Sequence, residues 1–171
     1  MRVGLPVVVG VLLGAIALAA CAEDADPEAP QTETPAPGDA DLASRPELAS
    51  FLPDDRGDPP GALVVEDVVD GDGDAAGEGD VLTVHHVGVT WSTGVEFDAT
   101  WSRGQTYTFE LGAGRVIPGW DVGLVGMRAG GRRLLVIPPD LAYADRGVGT
   151  MIPPGETLLF VVDLVDVRSG P

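Results

Sequence analysis

Apolar and polar residues alternate along much of the chain after residue 62. The alternation is regular over residues 106–111 and 158–164, as expected for strands with one buried and one exposed face. The side chains predicted to point inward are Tyr107, Phe109, Leu111, Leu158, Phe160, Val162 and Leu164. Glycine and proline interrupt the apolar segments at short intervals, which is typical of an antiparallel sheet.

One segment has a helical period instead of an alternating one. Pro118 occupies a suitable first helical position, and Trp120, Leu124 and Met127 follow at i, i+4 and i+7. Three interspersed glycines weaken this helix in isolation, so we expect packing against the sheet to hold it. Further strands are predicted at Leu63–Val69, Val81–Val89, Gly94–Phe97 and Arg132–Ile137. The predicted fold class is α+β, a bent antiparallel β-sheet wrapped around one short α-helix.

The first twenty residues have the pattern of a secretory signal. Arg2 provides the positive charge, and an apolar run too short for a membrane span follows it. The run ends in Leu18-Ala19-Ala20-Cys21, which resembles a bacterial lipobox whose cysteine is acylated, for example with palmitate. We therefore expect a lipoprotein signal peptide over 1–20 and an extracytoplasmic protein anchored to the cell membrane at Cys21. The alternative is an ordinary cleavage site with an unrelated cysteine.

Composition divides the remainder into a tether and a domain. Residues 21–61 are rich in acidic residues and proline and predict a disordered tether, whereas 62–171 contains the residues that could form a core. The formal net charge of −17 argues against binding nucleic acid. The single cysteine excludes an intramolecular disulfide. The pair Arg132-Arg133 is interpreted as a solvated strand edge.

Several motifs of the domain resemble the FK506-binding-protein (FKBP) family. They occur in the family's order over about residues 63–168, and 132–144 is similar to the family's strand and proline-aspartate-tyrosine loop. The other motifs are Val84-His85-His86-Val87-Gly88, Val95-Glu96-Phe97-Asp98-Ala99-Thr100, Val116-Ile117-Pro118-Gly119-Trp120 and Met151-Ile152-Pro153-Pro154-Gly155-Glu156-Thr157-Leu158. The resemblance implies a peptidyl-prolyl cis-trans isomerase that uses neither cofactor nor metal. It also implies proline-containing exported or unfolded polypeptides as substrates, and binding of FK506-like macrolides.

The resemblance also implies the residues of a site. Catalytic roles are implied for Phe97, Asp98, Trp120, Tyr143 and Phe160. Substrate-binding roles are implied for His86, Tyr107, Val116, Ile117, Met151 and Ile152, with the backbone N–H of Ile117 binding a peptide carbonyl. Three positions depart from the family's pattern: His86 stands where tyrosine is usual, Val148 where histidine is frequent, and Ala144 where glycine is usual. The first two put substrate preference and macrolide affinity in question.

Other interpretations of these residues remain open. His85 and His86 could suggest a metal site, but adjacent strand residues point to opposite faces of a sheet. The stretch Asp70–Asp74 is similar to a calcium loop but lacks its glycine and glutamate, so a solvated hairpin turn is preferred. The main alternative function is a non-catalytic module that binds proline segments with the same pocket. A solute-binding lipoprotein is disfavoured because the chain is too short for two lobes.

Overall fold

One antiparallel sheet dominates the computed structural model, which describes residues 44–52 and 56–170. Its strands are β1 Val64–Val69, β2 Val81–Thr90, β3 Glu96–Ala99, β4 Tyr107–Glu110, β5 Arg132–Ile137 and β6 Leu158–Arg168. The order across the sheet is β1-β5-β6-β2-β3, and β4 also pairs with β2. With the single short helix α1, Pro118–Gly123, this confirms the α+β fold that the sequence predicts.

One face of the sheet packs against α1, and we call it the helix face. Alternation along β6 places Leu158, Phe160, Val162 and Leu164 in the buried cluster on this face, as predicted. Trp120, Leu124 and Met127 join the same cluster from α1 and the turn after it. The helical period of the sequence therefore identifies the side chains that α1 and the turn after it bury.

Two glycines let α1 approach the sheet closely. A Cβ atom on Gly119 would lie 2.4 Å from Ile137, and one on Gly123 would lie 2.8 Å from Leu135. The helix is shorter than the predicted segment because it ends at Gly123, and Gly126 adopts a φ of 77°, outside the right-handed helical region.

The opposite face of the sheet, which we call the outer face, is covered in part by residues that precede residue 62. A short 3-10 turn, Leu48–Ser50, brings apolar side chains against the aliphatic cluster of this face. The side chains that cover the cluster include Leu48, Phe51, Leu52 and Trp91. Trp91 also donates its indole N–H to the carbonyl oxygen of Gly57 at 3.1 Å. Residues 48–52 belong to the segment predicted as a tether, and apolar burial holds Leu48, Phe51 and Leu52 on the sheet.

The two arginines predicted to form a solvated strand edge are both buried. Arg132 donates to both carboxylate oxygens of Asp163 on the outer face, at 2.6 and 2.7 Å. Arg133 points to the other face, pairs with Asp67 at 2.6 and 2.9 Å, and donates to the carbonyl oxygen of Gly123 at 2.9 Å. The prediction was wrong because their carboxylate partners are remote in sequence.

The predictions of one strand and one turn also need correction. The strand predicted over Gly94–Phe97 lies two residues later, at Glu96–Ala99, because 91–94 form the turn that connects it to β2. Asp70–Asp74 is not a hairpin turn, since β1 pairs with β5 and not with β2. This segment instead lies beside the loop at 127–131, where the Gly73 N–H donates to the Ala129 carbonyl at 3.0 Å.

The signal peptide predicted over 1–20 and the lipidated Cys21 lie outside the described residues. Within 44–52 and 56–170, no helix is long and apolar enough to cross a membrane.

Candidate active site

A cavity of about 310 Å³ opens on the helix face, between the start of α1 and the edge of the sheet formed by β3 and β4. Most of the residues that sequence reasoning assigned to a site come together here. The lining consists of His86, Phe97, Asp98, Arg103, Tyr107, Arg115, Val116, Ile117, Trp120, Tyr143 and Phe160. A cavity of this kind, with an apolar floor and a few polar groups, is suited to binding a small part of a peptide.

Three aromatic rings form the floor and one wall. The Phe160 ring lies nearly perpendicular to Trp120, with centroids 5.2 Å apart, and to Phe97, at 5.4 Å. Edge-to-face packing of this kind fixes ring positions without filling the space above them. Gly88 makes the arrangement possible, because a Cβ atom there would lie 2.6 Å from Phe160 and 2.8 Å from Phe97.

The start of α1 brings one free backbone N–H group, that of Ile117, to the cavity. Ile117 is extended, with φ −64° and ψ 146°, and its carbonyl accepts the Trp120 backbone N–H at 2.9 Å. The Ile117 N–H donates to none of the described residues. The indole N–H of Trp120 is buried and likewise has no partner among them. The Ile117 N–H can therefore donate to a bound peptide.

A hydrogen-bonded chain of three side chains lies along one wall. His86 Nε2 lies 2.9 Å from Asp98 Oδ2, and Arg103 Nη1 donates to Asp98 Oδ1 at 2.5 Å. With Asp98 ionised, His86 must carry its proton on Nε2, which leaves Nδ1 as an acceptor. His86 Nδ1 is buried and has no partner in the described part of the chain. The hydrogen bonds from His86 and Arg103 hold the Asp98 carboxylate in place at the rim.

Burial and charge set the ionisation of this group. Burial lowers the pKa of His86, and the hydrogen bond and charge of Asp98 oppose that shift only in part. Burial by itself would raise the pKa of Asp98, but the hydrogen bonds from His86 and Arg103 outweigh it and lower the pKa. At neutral pH the wall therefore presents a neutral imidazole beside an ionised carboxylate.

Tyr143 contributes a hydroxyl to the rim. Burial, followed by the charge of Asp98, raises the pKa of its phenol, so the group remains protonated at neutral pH. The hydroxyl makes no hydrogen bond with the described residues and is available to a ligand. The next residue, Ala144, has a φ of 49°, in the left-handed region that favours glycine.

Two predicted site residues do not line the cavity. Ile152 is 4% exposed and belongs to the buried cluster behind it, while the Met151 side chain is 50% exposed. Val148 is likewise 44% exposed, and its N–H pairs with the Ile152 carbonyl at 2.8 Å. These residues belong to the loop beyond Tyr143. Their place in the sequence motif therefore does not translate into direct contact with the cavity.

Sequence reasoning missed two cavity residues, Arg103 and Arg115. Arg103 lies five positions after Asp98, at the end of the short 3-10 turn Trp101–Arg103, and Arg115 lies immediately before Val116 and Ile117. Neither occupies a periodic position, so hydrophobic patterning could not identify them. The only signal in the sequence was that Arg115 is adjacent to the motif residue Val116, and Arg103 had none.

Comparison with known proteins covers the region that builds this cavity. The family described as FKBP-type peptidyl-prolyl cis-trans isomerase matches residues 73–165. An FK506-binding protein of Streptomyces anulatus is 57% identical over 112 residues, covering 65% of this chain and 90% of that relative. The peptidyl-prolyl cis-trans isomerase FPR2 of Saccharomyces cerevisiae is 52% identical over 92 residues, covering 54% of this chain and 68% of the yeast protein.

Solved structures agree in fold. The crystal structure of FkpA from Escherichia coli matches with a TM-score of 0.60 and 39% identity, covering 72% of this chain and 56% of that one. The crystal structure of AtFKBP13 matches with a TM-score of 0.58 and 39% identity, covering 63% of this chain and 94% of that one. All the cavity residues fall within the segment that the family matches.

Proposed function

Because the chain belongs to the FKBP-type peptidyl-prolyl cis-trans isomerase family and isomerises X-Pro bonds, we propose that the helix-face cavity is where it does so. The observation that carries this proposal is the combination of an aromatic floor with the free backbone N–H of Ile117 at one opening. No bond has to be broken in this reaction.

The apolar floor lowers the barrier to rotation about the X-Pro bond. Rotation about an X-Pro bond faces a barrier of about 18–20 kcal/mol because amide resonance is lost in the twisted state. The twisted amide has less charge separation than the planar one, so it loses less on leaving water for a surface of Trp120, Phe97 and Phe160. A proline ring on Trp120 would therefore favour the twisted form.

Fixed polar groups supply the remaining selectivity for that form. The Ile117 N–H and the Tyr143 hydroxyl can hold carbonyl groups of the peptide on either side of the rotating bond. Asp98, held by His86 and Arg103, faces the same space. Only interactions that fit the twisted amide better than the planar one accelerate the reaction, so the rigidity of these groups matters.

The test is the cis-to-trans relaxation rate of a short X-Pro peptide with the purified full chain. We expect Tyr143→Phe and Asp98→Asn each to lower kcat/KM by roughly tenfold, the effect of losing about 1.4 kcal/mol in the transition state. Both residues are half-exposed, so the variants should fold. A double variant, Asp98→Asn with Trp120→Leu, should lose acceleration altogether.

Asp166→Asn is the matched control, because it removes the same group from the far end of β6. Unchanged kcat/KM in folded Tyr143→Phe and Asp98→Asn would contradict this assignment. No acceleration by the folded wild-type chain would refute it directly.

The substrates proposed for this chain are proline-containing segments of exported proteins, and the location proposed is the outside of the cell membrane. Support comes from the signal-like segment and the lipobox-like Leu18-Ala19-Ala20-Cys21. Acyl chains on Cys21 would anchor the protein, since each buried CH₂ contributes about 0.8 kcal/mol. In a bacterial host supplied with labelled palmitate, we expect the wild-type chain to be labelled and the Cys21→Ser variant not to be labelled. Equal labelling of both would refute it.

We also propose that FK506-like macrolides compete with peptide in this cavity, as the family implies. Its aromatic floor and the Ile117 N–H support this, while the neutral ring of His86 alters one wall. Inhibition of the wild-type chain by FK506 that is weakened in Tyr143→Phe is expected. A macrolide that leaves the relaxation rate unchanged at saturating concentration would exclude it.

A binding module without useful catalysis is the second candidate. The exposed apolar side chains of Val148 and Met151 favour it, because they extend the apolar surface beyond the cavity. Such a module would suppress aggregation of an unfolded client, and Phe97 or Asp98 substitutions would leave that suppression intact. Suppression that disappears together with isomerase activity would instead favour one catalytic site.

A further inference from the structure

Arg115 occupies a defined position at the mouth of the cavity. The loop before it is held by Asp121, whose carboxylate oxygens accept the Gly112 N–H at 2.9 Å and the Gly114 N–H at 3.1 Å. Arg115 follows directly and is two residues from Ile117, whose N–H is free. Arg115 also lines the cavity, so its side chain can reach a peptide that is bound there.

The charge of Arg115 is not neutralised within the described residues. Arg115 forms no ion pair or hydrogen bond there, and its side chain is exposed. The other arginine of the lining, Arg103, is already paired with Asp98 at 2.5 Å. His86 is neutral at neutral pH because burial lowers its pKa. The rim consequently carries one net positive charge, on a chain whose formal net charge is −17.

We propose that Arg115 is a specificity-determining residue that favours peptides carrying Asp or Glu next to the proline. This rests on the proposed catalytic role of the cavity. A peptide whose carbonyl reaches the Ile117 N–H places the side chains beside its proline within reach of a residue two positions away. A carboxylate there would pair with a guanidinium that has no competing partner among the described residues.

The size of the preference follows from the exposure of the site. An ion pair in contact with solvent favours its substrate by about twofold to fivefold. It opposes the repulsion that the acidic chain as a whole exerts on an acidic peptide. High salt weakens it, because the screening length falls from about 10 Å at 0.1 M to about 3 Å at 1 M.

The experiment measures kcat/KM of the purified full chain for matched peptides with Glu, Gln or Lys before or after the proline. The wild-type chain should prefer Glu over Gln by about twofold to fivefold in at least one of the two positions, less so in 1 M NaCl. Arg115→Gln should bring that ratio to about one, and Arg115→Glu should reverse it in favour of Lys. Ratios taken within each protein cancel any general loss of activity.

Arg168→Gln is the matched control, because Arg168 pairs with Asp166 outside the cavity and its removal changes the net charge equally. The wild-type ratio should persist in this variant. Equal use of Glu and Gln by an active wild-type chain would overturn the proposal and leave the cavity assignment standing. A preference for Glu over Gln that persists in Arg115→Glu would also overturn the proposal. A folded wild-type chain that accelerates no peptide would overturn both.

Discussion

The two faces of the sheet bury their side chains in different ways. On the outer face, the apolar cluster is covered by Leu48, Phe51, Leu52 and Trp91, and the buried Arg132 is paired with Asp163. On the helix face, aromatic rings leave a cavity of about 310 Å³. Within the described residues, the only buried side-chain polar atoms without partners are His86 Nδ1 and Trp120 Nε1, both on this face.

This difference shows which face is complete without a ligand. A buried polar group without a partner costs free energy, so we expect a ligand or an ordered water molecule to satisfy it. The outer face has no such group among its described residues and acts as support. The helix face keeps unpaired nitrogen atoms beside an open cavity, as a binding surface would.

The largest expected effect comes from breaking the buried ion pair between Arg132 and Asp163 on the outer face. Asp163→Ala leaves the Arg132 guanidinium buried without its carboxylate, since both side chains are at most 5% exposed. Loss of one partner of a buried pair destabilises by about 3–5 kcal/mol, which urea unfolding would measure. Isomerase activity per folded molecule should not change.

The control for that substitution removes both charges. Arg132→Leu combined with Asp163→Leu should recover most of the lost stability, because no unpaired charge remains. A loss below about 1 kcal/mol in Asp163→Ala would mean that the pair is not buried in solution.

The second effect comes from filling the helix-face cavity from below. In Gly88→Ala the new methyl group would meet Phe160 and Phe97 at 2.6 and 2.8 Å and displace their rings. Overpacking of this kind costs about 1–3 kcal/mol of stability. We expect kcat/KM to fall by about tenfold or more. Gly61→Ala, whose Cβ would meet nothing within 4 Å, is the control and should match the wild type in both measurements.

The third effect concerns the pH dependence of the helix face. Burial lowers the pKa of His86 in the folded state, so the unfolded chain takes up a proton first as the pH falls below about 6.5. The free energy of unfolding should therefore decrease as the pH falls from about 7 towards the folded-state pKa. The lowered pKa of Asp98 acts only in more acidic solution, where stability is lost as that carboxylate is protonated.

His86→Tyr isolates this contribution, because a phenol can still donate to Asp98 but does not titrate between pH 5 and 7. Its unfolding free energy should vary less with pH than that of the wild-type chain. His85 is present in both proteins, so it does not contribute to the difference between them. Identical slopes in urea unfolding at pH 7, 6 and 5 would show that His86 is not buried as a neutral ring.

The smallest effect is a gain in stability in the loop beside the cavity. Ala144 has a φ of 49°, which costs an L-residue about 1–2 kcal/mol, while glycine adopts it freely. Part of the gain from Ala144→Gly is offset by the greater entropy of the unfolded chain, leaving about 0.5–1 kcal/mol. Ala129→Gly is the control and should not stabilise. A lower thermal midpoint in Ala144→Gly would contradict the left-handed conformation.

The sequence predicted those features that repeat or that belong to a motif. Alternation located β6, the helical period located Trp120, and motif order brought Phe97, Asp98 and Tyr143 to one site. Contacts between residues remote in sequence left no periodic signal. The pairing of Arg132 with Asp163 across neighbouring strands and the docking of Phe51 on the outer face are of this kind. The positions of Arg103 and Arg115 depend on loop conformation and were missed for the same reason.

The central claim is that proline isomerisation takes place on Trp120. The three tryptophans of the chain allow one NMR experiment to test it, since Trp91 lies on the outer face and Trp101 stacks on His85. A proline peptide is added at equilibrium, and its cis–trans exchange is recorded together with the three indole N–H signals. The account predicts that cis–trans exchange of the peptide appears and that, of the three indole N–H signals, only that of Trp120 shifts. Exchange that appears while the Trp120 signal stays unchanged would contradict the account.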